Sequence, residues 1–206
     1  MATQTVTKSQ QDQTVQERVQ QLRQLFADAP QYAKTALEHS LKDLTSFASK
    51  PRAPVESAGR AGLRQGKVSE LTLISPFAPG GAARLRALLR LRDGSFDDTD
   101  LVGTVHDMRF VFLDNDTKLL FATAYDGDFD PYIDDFATKI TDQMDVIFSA
   151  CEGWPGIRSP KVKDWIVKHQ ITAEGWYVAT PNLTVAETLR LEKVGKAVDE
   201  LLEKVG

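Results

Sequence analysis

The sequence predicts an α+β protein: an antiparallel sheet in β-α-β-β-α-β order, with a pair of helices before it and one helix after it. Three observations carry this expectation. Apolar residues recur at spacings of three and four over several segments, which marks amphipathic helices. Two β-rich runs, His106 to Leu113 and Lys118 to Tyr125, flank the turn-forming cluster Asp114-Asn115-Asp116-Thr117, which marks a hairpin. Shorter β-rich runs, Leu71 to Ile74 and Trp176 to Ala179, stand one on each side of that hairpin, with helical segments between.

The chain opens with a Gln/Thr-rich stretch, 1–11, that reads as a tail without an apolar signal region. Val15, Val19, Leu22, Leu25 and Phe26 form one helical stripe; Tyr32, Ala36, Leu37, Leu41, Leu44 and Phe47 form a second beyond Pro30. Residues 12–49 are therefore expected to be a helical hairpin. Residues 50–67, with Pro51, Pro54, Gly59, Gly62 and Gly66, read as a linker. The main body, 68–206, starts with the strand at Leu71. Ala83 to Leu91 forms its first helix. In the central hairpin, a turn centred on Asn115-Asp116 opposes residues whose numbers sum to 231. His106 then faces Tyr125, Phe110 faces Phe121 and Arg109 faces Ala122; a one-residue slip would exchange the two faces. Asp130 is the expected N-cap of one long helix running through Ile133, Phe136, Ile140, Met144 and Phe148 to Cys151, with Pro131 at its first helical position. A short helix, 160–169, precedes the last strand at Trp176. Thr184 and Glu187 form a capping box that opens the C-terminal helix.

This order is the ferredoxin-like split β-α-β pattern. Right-handed crossovers place both main helices on one face of the sheet. Phe110, Phe112 and Phe121 alternate with Val111, Leu113 and Leu120, so both faces are apolar and the open one needs a cover. The C-terminal helix, the N-terminal hairpin or a second copy of the chain would supply it, and self-association is the expectation.

Composition narrows the function. Of 206 residues 42% are hydrophobic and 26% charged, ordinary for a globular protein. The net charge of −4 is uneven: residues 1–67 hold 10 basic and 6 acidic residues, the remainder 15 and 23. A body this acidic is a poor nucleic-acid binder. The single cysteine, Cys151, forms no intramolecular bridge, and no apolar run is long enough for a membrane span, so a cytoplasmic location is expected.

The stretches Gly103-Thr104-Val105-His106-Asp107-Met108-Arg109-Phe110, Leu120 to Gly127 and Cys151-Glu152-Gly153-Trp154-Pro155-Gly156, with the element order, resemble the dimeric α/β-barrel superfamily. Among its members the resemblance is to peroxidase-like relatives of the dye-decolourising peroxidases. It covers roughly 69–200 and implies an oxidoreductase acting on a small apolar molecule, with haem as a candidate cofactor. The peroxidases' Gly-x-x-Asp-Gly motif is incomplete here, since Thr123 stands where its first Gly belongs. The haem-binding members take their proximal histidine from the C-terminal half, which implies His169.

The candidate catalytic residues are His106, Arg109, Tyr125 and Asp126. His106 and Tyr125 meet at a strand end beside a Gly-containing loop, near a carboxylate, which suits acid–base chemistry. His106 and Arg109, three apart on a strand, share a pocket only if a bulge intervenes. Asp126 is the nearest expected partner of Arg109. Asp126, Asp128 and Asp130 alternate like calcium ligands, but Pro131 and Ala137 occupy positions that a calcium loop gives to Gly and Glu, so capping explains them and no metal site is expected. Cys151 reads as a packing residue. Beside the oxidoreductase reading stands a second: a non-catalytic binding or assembly protein that self-associates through the open sheet face.

Overall fold

The structure is a computed structural model describing residues 8–47, 53–93 and 96–205. The chain divides into two compact units, 1–52 and 53–206.

In the first unit, α1 (Lys8–Leu25) and α2 (Gln31–Phe47) flank a short turn at Pro30. The helix starts within the expected tail: Lys8-Ser9-Gln10-Gln11 is helical, a stretch with no Gly or Pro to oppose it. Residues 1–7 and 48–49 lie outside the described residues. Arg23 grips Glu38 with both arms, at 2.7 and 2.8 Å, and ties the helices together.

The second unit is mixed α+β. Its sheet has five antiparallel strands in the order β1-β2-β3-β5-β4: β1 (Val55–Ser57), β2 (Leu63–Gln65), β3 (Val68–Pro76), β4 (Val105–Leu113) and β5 (Lys118–Asp126). Among the described residues five α-helices accompany it, α3 (Gly81–Leu91), α4 (Phe129–Lys139), α5 (Thr141–Phe148), α6 (Val162–His169) and α7 (Val185–Val205), with a 3-10 turn at Asp97–Leu101. The β4–β5 register follows the 231 rule from Asp107↔Ala124 to Leu113↔Lys118. Its turn is built from Asp114, Asn115 and Asp116, all at positive φ (51°, 54° and 65°), a conformation that Asn and Asp tolerate better than most residues. Arg86 of α3 holds Asp116 through both guanidinium arms, at 2.6 and 2.7 Å.

Leu71 and Leu73 of β3 and Leu119, Phe121 and Tyr125 of β5 point into the core. There they meet Ile133 and Phe136 of α4, Met144 and Phe148 of α5 and Trp165 of α6. The core is tightly filled: the void among these side chains is about 20 Å³, roughly room for one water.

Four expectations are corrected. Residues 53–67 are part of the body: β1 and β2 pair there, and Ala58 and Ala61 are buried. The glycines that suggest a linker are turn positions; Gly62 sits at φ +79°, where a Cβ would collide with the Glu70 carbonyl oxygen. The long helix is two, because Ile140 leaves the helical region (φ −135°, ψ 43°) between α4 and α5. The helix begins two residues earlier than expected, with Asp128 rather than Asp130 at the N-cap position and no side-chain capping bond; Phe129, its first residue, is fully buried and gives its N–H to the Ala58 carbonyl. Trp176 to Ala179 forms no strand. The edge of β3 is met earlier, by a bridge between Leu73 and Gln170 and by the Ile171 N–H on the Thr72 carbonyl, and the chain then leaves the edge.

The capping box at α7 is present: the Thr184 N–H reaches Glu187 at 2.8 Å and the Glu187 N–H reaches the Thr184 hydroxyl at 3.2 Å. None of the residues of α7 is buried.

Candidate functional site

The sheet face turned away from the core carries a trough of about 440 Å³. Its shape follows from register. Glu70, Ala124 and Asp107 lie level across β3, β5 and β4; Thr72, Ala122 and Arg109 form the next row. The central strand thus contributes only two methyl groups, and larger side chains rise on both sides. Two inter-strand spacings set the walls about 10 Å apart. The segment 173–180, carrying Trp176 and Tyr177, lines the remaining side.

A β-bulge between Val105 and Asp107 places His106 in this trough. The bulge lets His106 and Arg109 line one cavity despite their odd spacing. It also moves the pairing at that end to Val105↔Tyr125, so the expected meeting of His106 with Tyr125 does not occur. Tyr125 faces the core, where it stacks on Tyr132 at 3.7 Å. Burial, reinforced by the Glu70, Asp128 and Asp130 carboxylates, holds its phenol well above the usual range, with only Ser69 pulling the other way.

The partner of His106 is Asp126. His106 Nε2 stands 2.7 Å from Asp126 Oδ1, and Asp126 Oδ2 accepts the Val185 N–H at the start of α7, at 3.0 Å. Asp126 is 10% exposed and His106 23%. In the tautomer that donates Nε2–H to this carboxylate, Nδ1 carries the lone pair. Arg109 pairs with Asp107, at 3.3 Å, not with Asp126.

Glu70 was not singled out from the sequence. It is 5% exposed on the trough wall. Its Oε1 accepts the Leu63 N–H at 3.1 Å and its Oε2 the Thr72 hydroxyl at 3.3 Å. The available signals were an acid in the polar phase of an apolar strand and the alternating pair Ala122 and Ala124 on its neighbour.

No family model, curated protein or solved structure matches this chain.

The remaining candidates sit elsewhere. His169 ends α6, its Nδ1 2.8 Å from the Trp165 carbonyl oxygen and its ring against the Trp165 indole. It does not line the trough. The space between sheet and helices is about 20 Å³ and walled by apolar groups, against roughly 300–1,000 Å³ for cofactor-sized pockets. These residues do not fit a haem. Among the described residues no cluster of His, Cys, Asp or Glu is arranged to hold a metal ion. Asp128 is held by Arg64, and Asp130 by Arg60 and Lys163. Burial pushes the Cys151 thiol up to about 11, against a smaller effect of the Ser75 hydroxyl, which suits packing rather than nucleophilic attack. No helix among the described residues is long and apolar enough to cross a membrane.

Proposed function

We propose that this protein binds a small polar molecule in the trough on the outer sheet face, with the His106–Asp126 pair as its proton-transfer element. The observation that carries this is the convergence of His106, Arg109 and Glu70 on one cavity of ligand size above an alanine floor. Its chemistry is proton exchange and charge pairing, which supports this reading over the oxidoreductase expected from the resemblance. Fragment screening by NMR on the full chain tests it. Bound fragments are expected to move the Ala122, Ala124 and Trp176 signals, and Ala124→Leu, which fills the floor, is expected to abolish binding. Fragments that bind only elsewhere would overturn the reading.

We also propose that β3-α3-β4-β5-α4/α5 is a ferredoxin-like unit related to the dimeric α/β barrels. Supporting this, β3 lies beside β5 and β5 beside β4, and the Gln170 bridge falls on the β3 edge where a fourth strand would run.

Self-association is a second reading, favoured by α7 rather than by the sheet face. Leu191, Val194, Val198, Leu201 and Val205 follow the 3-4-3-4 spacing of a coiled-coil seam and are 47–73% exposed. Sedimentation of the full chain at micromolar concentration is expected to show a dimer that Leu201→Glu dissociates. A monomeric wild-type mass would remove this reading.

A further inference from the structure

We infer that the trough selects a small organic cation, an ammonium carried on a compact apolar or aromatic body, with Glu70 as its counter-ion. This rests on the reading of the trough as a ligand site and adds the class of ligand.

The argument begins with the pairing of charges. Among the described residues, the carboxylates of Glu70, Asp107 and Asp126 and the basic groups of His106 and Arg109 face or border the trough. Asp107 holds Arg109, and Asp126 holds His106. Glu70 has no ion-pair partner among the described residues, yet it is the most deeply buried acid of the three. A buried carboxylate without a counter-ion is costly, and backbone and hydroxyl donors offset that cost only in part. Oε2 makes a single long contact, to the Thr72 hydroxyl at 3.3 Å, which leaves acceptor capacity on the wall of the cavity. An ammonium brings charge and N–H donors together.

The rest of the trough suits the body of such a ligand. Ala122 and Ala124 make an apolar floor, and the Trp176 indole is part of the lining. Aromatic faces attract cations as well as apolar groups. An anion of the same shape would have to approach Glu70 in a partly dehydrated space, so charge discriminates between the two. Arg109 does not reverse this preference: its side chain is 64% exposed and already bound to Asp107 at the rim.

The test compares three probes of one shape, benzylamine, benzyl alcohol and benzoate, on the full chain at neutral pH, followed by calorimetry and by the Trp176 indole NMR signal. Benzylamine is expected to bind at least tenfold more tightly than the other two. Glu70→Gln, which keeps an acceptor for the Leu63 N–H, is expected to weaken benzylamine about tenfold or more, the worth of one charge-assisted hydrogen bond. If Glu70→Gln fails to fold, the probe series on the wild type decides alone. Benzoate or benzyl alcohol binding as tightly as benzylamine, or a folded Glu70→Gln with unchanged affinity, would overturn the inference while leaving the trough a binding site. If no probe moves the Trp176 signal, and fragment screening also finds nothing there that Ala124→Leu removes, the trough reading fails and the cation preference with it.

Discussion

Asp126 joins two parts of the second unit through two oxygens. One orients His106 in the trough; the other receives the first N–H of α7. The neighbouring residue, Tyr125, points the opposite way and has no part in that arrangement. Its hydroxyl is buried and has no hydrogen-bond partner of ordinary geometry among the described residues. Removing an unsatisfied buried hydroxyl relieves a desolvation cost instead of breaking a bond. Tyr125→Phe is therefore expected to leave ligand binding unchanged and to keep or raise stability, by up to about 1 kcal/mol, in denaturant titration. A loss of more than about 1 kcal/mol would show that the hydroxyl is bonded. That contrast also marks the limit of the sequence at this scale. Alternation along β5 with Leu119 and Phe121 already places Tyr125 in the core; His106 is the residue that alternation misplaces until the bulge is known, and nothing in Val105-His106-Asp107 announces a bulge. Glu70 was legible in principle, as an acid out of phase with Leu71 and Leu73, but an acid on a strand face is ordinary until the floor beside it proves to be alanine.

At the scale of elements, α7 is held to the body by its first turn. Glu187 accepts hydrogen bonds from Lys67 at 2.6 and 2.8 Å and from the Thr184 N–H. The Lys67 ammonium, then the Thr184 groups, draw the Glu187 carboxyl down from 4.5 to about 2. A depressed carboxyl stabilises the folded state above its unfolded value and loses that contribution as pH falls through its folded value. Amide protection over 185–188 is thus expected to be full above pH 4.5 and to fade as the pH falls toward about 2, and Glu187→Gln is expected to remove that dependence. Protection that is independent of pH across this window in the wild type would place the anchor elsewhere. The capping box behind this contact was legible from Thr184 and Glu187 alone, because both halves of the motif are local. The break at Ile140 was not legible, since the apolar stripe runs through it without a change of period.

For the molecule as a whole, the boundary between its two units falls at 52/53, and what lies just beyond it belongs to the body. β1, Ala58 and Ala61 depend on the residues around them, and Leu63 supplies a donor to Glu70. Deleting 1–52 is expected to leave a cooperatively folding protein whose melting temperature lies within about 4 °C of the full chain, a shift of roughly 1 kcal/mol. Deleting 1–67 is expected to lower it much further, since it strips β2 from the edge of β3. Equal melting of the two truncations in calorimetry would show the β1–β2 pair to be dispensable. Composition could not reveal this, because a Pro/Gly-rich hairpin and a Pro/Gly-rich linker look alike until their backbone partners are known.

The left-handed turn at Asp114-Asn115-Asp116 also has a bearing on the order in which the sheet assembles. β4 meets β5 across four residues, whereas β3 must find β5 across roughly forty. Loop-closure entropy separates those two events by about 2 kcal/mol. The β4–β5 ribbon is therefore the natural nucleus, with β3 arriving late. Destabilising substitutions at Val111 should slow refolding, while those at Ile74 should mainly speed unfolding. Stopped-flow chevrons showing the reverse would place the nucleus at β3.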